Sequence, residues 1–553
     1  MSVLDIHGRM KADRIRLEAY AFPPNVPALV FEAAKECPDE IALSFFEDGL
    51  QITYRDLADR ISRLAGGLSA SGVGQGIHVG VMVTNTPAFP VTWFALLSLG
   101  AVMVPINTRY TAREVDYVLT KAEATYLVVE EEILGNLDTA VQKLPVPAER
   151  TIVVGGDRNG YGNWQALVSH DGLAPGYHLP VSQSNIANIQ FTSGSTGFPK
   201  GCVQTHRFWL EAGLVMAKAY QPEHRRILVY QSFFYMDPQF LMLAAIFNRG
   251  TAFISRGPSR KHYADWVNQH SIDFAFMPEF VFKDLKEKGD KLPSLKRVNI
   301  FGWGRENHQL AQDWFPFPVR ESFGMTEIGT TLYQPEEAVR MVGSRSCGLE
   351  AANRHCKVMI GTEREAEPDE VGELWVKGPG VIKEYYGDAD ANAKSFVGDW
   401  FRTGDLFSRD IEGFYYYRGR LKDTIRRSGE NIAAQEVEAV MRGCPYIVEA
   451  AAVGVPDEER GQEVKVFVTC VDGIDLRDKA EHLNAIFAAC ERDLARFKVP
   501  RYIEQIDAFP RTGSNKIDKP QLLRERSNIE TLSFDRKSAA WVNLAAGTAQ
   551  STV

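Results

Sequence analysis

The chain has 553 residues, 45% of them hydrophobic and 24% charged, with a formal net charge of −9 and a pI near 5.8. That length accommodates about two to four domains and a large core, and the acidic balance argues against a nucleic-acid binder, which is usually basic. The seven cysteines, at 37, 202, 347, 356, 444, 470 and 490, are scattered with no C-x-x-C; this argues against a zinc knuckle and a disulfide framework and fits a reducing cytoplasm.

From Met1 to Tyr20 charge alternates with short apolar pieces, so no signal peptide is expected. Ile41–Phe46 and Leu50–Tyr54 flank Asp48-Gly49, a hairpin pattern. Thr53 with Asp56 resembles a capping box opening a helix Arg55–Ser71, and Val79–Val83 reads as a buried strand. Ala88–Ile106 is the longest uncharged apolar stretch, but Pro90, Gly100 and Pro105 punctuate it. The expectation is a helix Pro90–Leu99 followed by a buried strand Ala101–Ile106, and no membrane span. Beyond it, strands such as Ala124–Val129, Arg226–Gln231, Thr251–Ile254 and Val298–Phe301 alternate with helical patterns. Such alternation implies parallel sheets covered by helices.

Within this region lies Phe191-Thr192-Ser193-Gly194-Ser195-Thr196-Gly197-Phe198-Pro199-Lys200-Gly201, with four hydroxyls, three glycines and one lysine in eleven residues. Glycine lets backbone N–H groups approach an anion, and hydroxyls and lysine add donors and charge; the segment reads as a loop that wraps a polyphosphate. It is not the common P-loop, because Pro199 stands where the second glycine would fall. Further on, Glu321-Ser322-Phe323-Gly324-Met325-Thr326-Glu327 follows a strand-like Val319. An aromatic between Ser and Gly can shelve a purine, and the acid beyond it can ligate Mg²⁺ beside substrate phosphates; a strand-to-turn core segment would read the same.

The character changes near residue 420. Gly372–Val376, Trp400–Phe401 and Gly413–Arg418 suggest short antiparallel strands. Between the last two, Arg402-Thr403-Gly404-Asp405 puts an acid on a tight turn, able to accept both ribose hydroxyls or to be an ordinary surface turn. A charged stretch from Tyr417 to Ile432 would usually be a solvated face, yet it falls at the expected domain boundary, Arg420–Lys422. A helix Ala434–Arg442, strands Glu449–Val455 and Glu463–Cys470 and a helix Arg477–Phe497 then form a small α+β unit. The expected domains are 1–420, 421–526 and a tail 527–553 with no assigned role.

Taken in order, these segments resemble the motifs of the adenylate-forming enzymes: acyl-CoA synthetases, the adenylation domains of peptide synthetases, and luciferases. The loop is similar to the family's phosphate-binding signature, which implies contacts to ATP from Thr192, Ser193, Gly194, Ser195, Thr196, Gly197 and Lys200. The family's Tyr/Phe-Gly-x-Thr-Glu implies Phe323 against adenine, flanked by Glu321, Ser322, Gly324 and Met325, with Thr326 on the α-phosphate and Glu327 on Mg²⁺. Arg-Thr-Gly-Asp implies Asp405 on the ribose. Arg420 matches the family's nucleotide-contacting arginine and Lys422 its hinge, while Arg426, Ser428, Gly429 and Glu430 match the segment bordering the CoA channel. Pro510-Arg511-Thr512-Gly513-Ser514-Asn515-Lys516-Ile517 resembles the family's last motif, in which Lys516 would bridge the carboxylate and the α-phosphate. Asn515 replaces the usual glycine there, and Asn tolerates left-handed backbone angles.

The resemblance implies an α/β fold with a large N-terminal domain of parallel and mixed sheets covered by helices, and a small mobile α+β C-terminal domain. It implies an AMP-forming acyl-CoA synthetase that uses ATP, Mg²⁺, CoA and a small-molecule carboxylic acid, resembling the crotonobetaine/carnitine-type CoA ligases. It leaves the oligomeric state open, with a homodimer as the candidate. Two departures bear on the acid: the adenine-side Gly-Gly-Ala-Pro is Gly302-Trp303-Gly304-Arg305, and the usual histidine is Tyr235. Phe233, Phe234, Tyr235 and Trp303 offer aromatic faces, which attract trimethylammonium groups, and Asp237 a complementary charge. The expected acid is therefore small and polar, of the betaine or carnitine type. The alternatives are core aromatics with a solvated Asp237, a small aromatic or medium-chain acid, a carrier protein as acceptor, a luciferase-like oxidase, or a nucleotide-binding protein without catalysis.

Overall fold

The computed structural model describes residues 3–138, 144–172, 181–192, 199–220, 223–427, 430–457, 460–478, 480–494, 496–512, 516–525 and 532–542. Contacts divide the chain into two units. The first comprises 1–356, 375–402 and 412–415; the second comprises 357–374, 403–411 and 416–553.

In the first unit, short apolar runs do form parallel strands. One sheet runs in the order Gly162–Asn163, Thr151–Val154, Tyr126–Glu130, His78–Met82, Val102–Pro105, Ile186–Thr192, Lys200–Thr205. Its neighbours are parallel except for the last pair, an antiparallel hairpin. Another set runs Leu50–Thr53, Ile41–Phe45, Thr251–Ile254, Arg226–Val229, Phe274–Phe276, Arg297–Ile300, Val319–Met325, Gly329–Tyr333 and Ser346–Glu350. It is parallel from Ile41–Phe45 through Val319–Met325 and antiparallel at both ends.

The apolar stretch 88–106 shows why hydrophobicity alone is ambiguous. It forms a helix, Ala88–Ser98, buried along its whole length, then the strand Val102–Pro105. Pro90 is tolerated in the first turn, where its missing N–H has no intrahelical acceptor. Gly100, at φ +67°, turns the chain between them in the left-handed region that favours glycine. Among the described residues no helix is long and apolar enough to cross a membrane.

The expected hairpin at Asp48-Gly49 is present with a longer connection. A 3₁₀ turn, Phe46–Asp48, precedes Gly49 at φ +64°, so the link is four residues and not two. Thr53 caps the next helix, Tyr54–Ala70, its Oγ1 accepting from Asp56 N–H at 3.1 Å.

The second unit is a smaller α+β body. Its strand Ile447–Asp457 alternates with period two: Ala450 and Ala452 pack with the helices Ala434–Arg442 and Ala480–Asp493. Ala451, Val453 and Val455 pack on the opposite face with Phe467, Phe509 and Leu522. The expected helix Arg477–Phe497 is shorter, Ala480–Asp493, with a 3₁₀ turn Arg496–Lys498 after it; Arg477 instead closes a local ion pair with Asp475. Part of the tail is ordered into the sheet, as the strands Phe534–Asp535 and Ala540–Trp541.

Candidate active site

The phosphate-loop segment runs between the paired strands Ile186–Thr192 and Lys200–Thr205. Ser193, Gly194, Ser195, Thr196, Gly197 and Phe198 lie outside the described residues. Both arms are paired to the mouth of the loop, Thr192 opposite Lys200 and Phe191 opposite Gly201. The Lys200 ammonium sits 4.8 Å from the centre of the Tyr385 ring, within cation–π range.

The strand Val319–Met325 pairs antiparallel with Gly329–Tyr333, leaving Thr326, Glu327 and Ile328 as the connecting turn. Gly324 is required there: a Cβ would lie 2.5 Å from the Gly329 carbonyl oxygen. Phe323 is half-buried and Gly324 exposed, while Glu327 is buried. The Tyr385 phenol donates to Glu327 Oε1 at 2.9 Å. Burial, with Glu327 beside it, pushes this phenol well up, so it stays a donor. Tyr385 itself is clamped by Asn392, which accepts from its N–H at 2.7 Å and donates to its carbonyl at 2.9 Å. Tyr385 thus joins Lys200 to Glu327, a link that none of the sequence motifs contains.

Glu321 takes a different place from its neighbours. Its carboxyl is buried and accepts the Gly302 N–H at 2.6 Å. Burial pushes it up to about 8, against the pull of the Gly302, Trp303 and Ser322 backbone donors. Glu321 therefore holds the 302–304 loop from beneath. Gly302 has φ +66°, and Gly304 N–H reaches Glu279 at 3.3 Å. Trp303 is buried, its ring 5.7 Å from Phe282, whereas the neighbouring Phe301 is 46% exposed.

The aromatic set around Tyr235 is only partly presented. Phe233 is fully buried and stacked 5.0 Å from Phe89, and Phe234 is buried. Tyr235, at the N-terminus of the helix Met236–Phe247, is 41% exposed. Asp237, in the first turn of that helix, lies close enough to Tyr230 to add to the burial that raises its phenol.

In the second unit Asp405 is fully buried. Arg420 Nε lies 2.7 Å from Asp405 Oδ1, and the Tyr417 phenol donates to the same oxygen at 3.4 Å. Gly404, at φ +69°, turns its N–H to Glu373 at 3.1 Å. Lys422 lies in a single 3₁₀ turn, Leu421–Asp423. Arg426 and Glu430 sit on the paired strands Thr424–Arg427 and Glu430–Ala433; Ser428 and Gly429, between them, are outside the described residues. Lys516 is exposed. Its N–H donates to Thr512 Oγ1 at 3.2 Å and its carbonyl accepts from Thr512 N–H at 2.8 Å, closing the loop that carries it.

Residues 30–386 match the family described as AMP-binding enzyme, and residues 436–516 match the AMP-binding enzyme C-terminal domain. The chain is 28% identical over 491 residues to a crotonobetaine/carnitine–CoA ligase of Proteus mirabilis (strain HI4320), covering 85% of this chain and 93% of that one. It is 28% identical over 501 residues to a fatty acid–[acyl-carrier-protein] ligase of Streptomyces coeruleorubidus, covering 86% and 92%. Among solved structures, the o-succinylbenzoate coenzyme A synthetase of Bacillus subtilis in complex with ATP and magnesium ion has the same fold. The TM-score is 0.78 at 24% identity, over 91% of this chain and 99% of that one.

The Glu321 environment gives a pH signature. The folded carboxyl keeps its proton to about 8, whereas the ordinary value is 4.5. The stability it contributes is therefore full below 4.5 and is lost as pH rises through 8. Glu321→Gln keeps an oxygen for Gly302 and has no proton to release. In melts from pH 4.5 to 9, the variant should gain on the wild type up to about pH 8 and hold a constant lead above it. At about 1.4 kcal/mol per pKa unit, that lead is on the order of a few kcal/mol. A difference that does not vary with pH would show that Glu321 ionises normally.

Proposed function

The chain belongs to the AMP-binding enzyme family and is an AMP-forming acid–CoA ligase, and we propose that its acid is a small polar one of the betaine or carnitine type. The observation that carries the site assignment is the Lys200–Tyr385–Glu327 link, which ties the phosphate-loop arm to the acidic turn. For the acid, support comes from the exposed Tyr235 ring with Asp237 two residues on, from Trp303 filling the loop beside the adenine strand, and from the crotonobetaine/carnitine–CoA ligase among its relatives. Phe233, committed to the core, is not part of the proposed pocket.

In this reading ATP lies with its phosphates on the hydroxyls and N–H groups of Thr192–Gly197 and on Lys200, its adenine on Phe323 along the 302–304 loop, and its ribose on Asp405, oriented by Arg420. Thr326 and Lys516 donate to the α-phosphate. The acid's carboxylate oxygen forms a bond to the α-phosphorus as the bond to the bridging oxygen breaks, and pyrophosphate leaves with that electron pair. Preorganised donors aimed at the developing charge are the main source of rate in such transfers. Among the described residues no group of three or more acidic, His or Cys ligands could hold a metal. The donor set at Glu327 still fits Mg²⁺, which keeps waters and takes one or two carboxylates beside substrate phosphates. Bound there, it would supply positive charge against the phosphate oxygens. Lys422 is the hinge between a large domain, 1–420, and a small one, 421–526, and the Arg426–Glu430 face serves the second half-reaction. There the CoA sulfur attacks the acyl carbonyl and AMP departs with the oxygen it shared with the acid.

Lys516→Ala should abolish acyl-adenylate formation and spare thioester formation from a supplied acyl-adenylate. Losing one preorganised cationic donor costs roughly 3 kcal/mol or more, ~10²-fold in rate. Equal losses in both half-reactions would contradict the assignment of Lys516 to adenylation.

Tyr385→Phe removes the donor on Glu327 and leaves the ring for Lys200. A hydrogen bond to a charged group contributes about 1.5 kcal/mol or more, so the Mg²⁺ concentration for half-maximal pyrophosphate release should rise about tenfold. Binding of Mn²⁺ in the presence of ATP, followed by electron paramagnetic resonance, should weaken in parallel.

The acid is tested by CoA-dependent AMP formation with carnitine, γ-butyrobetaine, crotonobetaine, benzoate and octanoate. Turnover of the betaines above the other two is expected. Good turnover of benzoate or octanoate without the betaines sinks the cationic-acid reading, and AMP formation that is stimulated by a carrier protein and not by CoA points to a carrier-protein acceptor.

A further inference from the structure

The segment that carries Tyr235 is held by several side-chain amides. Asn85 Nδ2 donates to the Gln231 carbonyl at 2.9 Å, and its Oδ1 accepts the Phe233 N–H at 2.9 Å. Gln190 Nε2 donates to the Phe234 carbonyl at 2.6 Å. Gln239 Nε2 donates to the carbonyls of Phe233 and Tyr235, both at 3.0 Å. Four carbonyls, at 231, 233, 234 and 235, are thus each met by a side-chain amide.

The amides in turn fix one another. Asn188 Nδ2 donates to Gln239 Oε1 at 2.9 Å, and Trp93 Nε1 donates to Asn188 Oδ1 at 2.9 Å, which sets both amide orientations. Asn85, Asn188, Gln190 and Gln239 are all buried. Asn188 and Gln190 are alternate residues of Ile186–Thr192, so they share one face of that strand, and the next residue on that face is Thr192 at the phosphate-loop mouth. Opposite Asn188 on the hairpin partner is Gln204, also buried, whose Nε2 donates to the Thr326 carbonyl at 2.9 Å.

We propose that this face of the phosphate-loop hairpin acts as a jig: Gln190, with Asn188 acting through Gln239, sets the backbone of Phe233–Tyr235 and thereby the acid pocket, while Gln204 sets Thr326. Gln190 and Gln239 are specificity-determining positioning residues; they touch the pocket segment's backbone and not the reacting atoms. The physical basis is that a buried carbonyl deprived of its donor must move to find another, and here the moving carbonyls belong to the residues that line the pocket. The inference rests on the assignment of Tyr235 to the acid pocket.

The test uses Gln190→Met and Gln239→Glu in the full chain, with Tyr235→Ala as control. Gln190→Met keeps the length and removes the donor to Phe234. Gln239→Glu keeps the shape and replaces a donor by an acceptor. Kinetics with γ-butyrobetaine, benzoate and octanoate should show the ratios of kcat/KM between acids shifting about tenfold in both variants, with KM for ATP within twofold of wild type. Tyr235→Ala should shift the same ratios. A fall in melting temperature with unchanged acid ratios makes the amides ordinary core and overturns the proposal. Equal rises in KM for acid and ATP also overturn it. If Tyr235→Ala shifts the ratios and the amide variants do not, the jig fails and the pocket assignment stands; if none of the three shifts them, both fall.

Discussion

Amides that lie wholly out of water have no freedom to choose partners at leisure, and this constraint organises the first unit around its phosphate-loop hairpin. Asn188, Gln190, Gln204 and Gln239 are buried, and each is bonded to a neighbour that matters to the site or to another member of the set. A buried donor or acceptor left unmade costs more than the net value of the bond it would make. The strand Ile186–Thr192 is therefore held at Asn188 and Gln190 by bonds that need no ligand.

Three carboxyl groups that the motifs single out, two in the first unit and one in the second, show how environment and not residue type sets what a side chain can do. Glu321, enclosed with only backbone donors and pushed up to about 8, is suited to holding a loop and ill suited to carrying charge. Glu327, facing the Tyr385 hydroxyl, keeps a neutral donor that orients it without neutralising it. Asp405 faces a full cation, Arg420, and breaking such a buried pair from one side leaves an uncompensated charge. Glu and Asp in a sequence are equivalent symbols; desolvation, a phenol and a guanidinium separate them.

Elements whose sequence signal is local were readable before the fold. The helix Ala434–Arg442 and the strand Thr251–Ile254 have the expected bounds, and Thr53 caps its helix through Asp56 as the spacing suggested. What escaped was the supporting set. Asn188 and Gln190 alternate with apolar residues, which reads as the solvated face of an ordinary strand; only the packing of the helices Ala88–Ser98 and Met236–Phe247 against that face makes it interior. Tyr385 belongs to no motif, and its value comes from two partners 58 and 185 positions away. Trp303 and Phe233 were offered as pocket walls on type alone, and burial decided otherwise for Phe233 by pairing it with Phe89.

The second unit answers a different requirement. A small body carrying an exposed lysine on a short loop must keep that loop in place without a large core to lean on. Its sheet runs from Glu430–Ala433 through Thr424–Arg427 and Gly461–Cys470 to Tyr502–Gln505, and Tyr502–Gln505 would be a bare edge. The tail covers it: Tyr502 pairs with Asp535 and Ile503 with Phe534, and Ala540–Trp541 pairs onto the outer side. Arg501 locks the addition by reaching Asp535 at 3.1 Å and Asp457 at 3.0 Å. At the other end, Arg427 and Arg460 both close on the buried Glu463, fastening the segment after Lys422 to the sheet. Edge strands invite unwanted pairing unless covered, and ion pairs with a buried partner hold geometry even where they add little net stability. The described part of the tail left without a role by the sequence thus supplies the last strand pair of the body that carries Lys516.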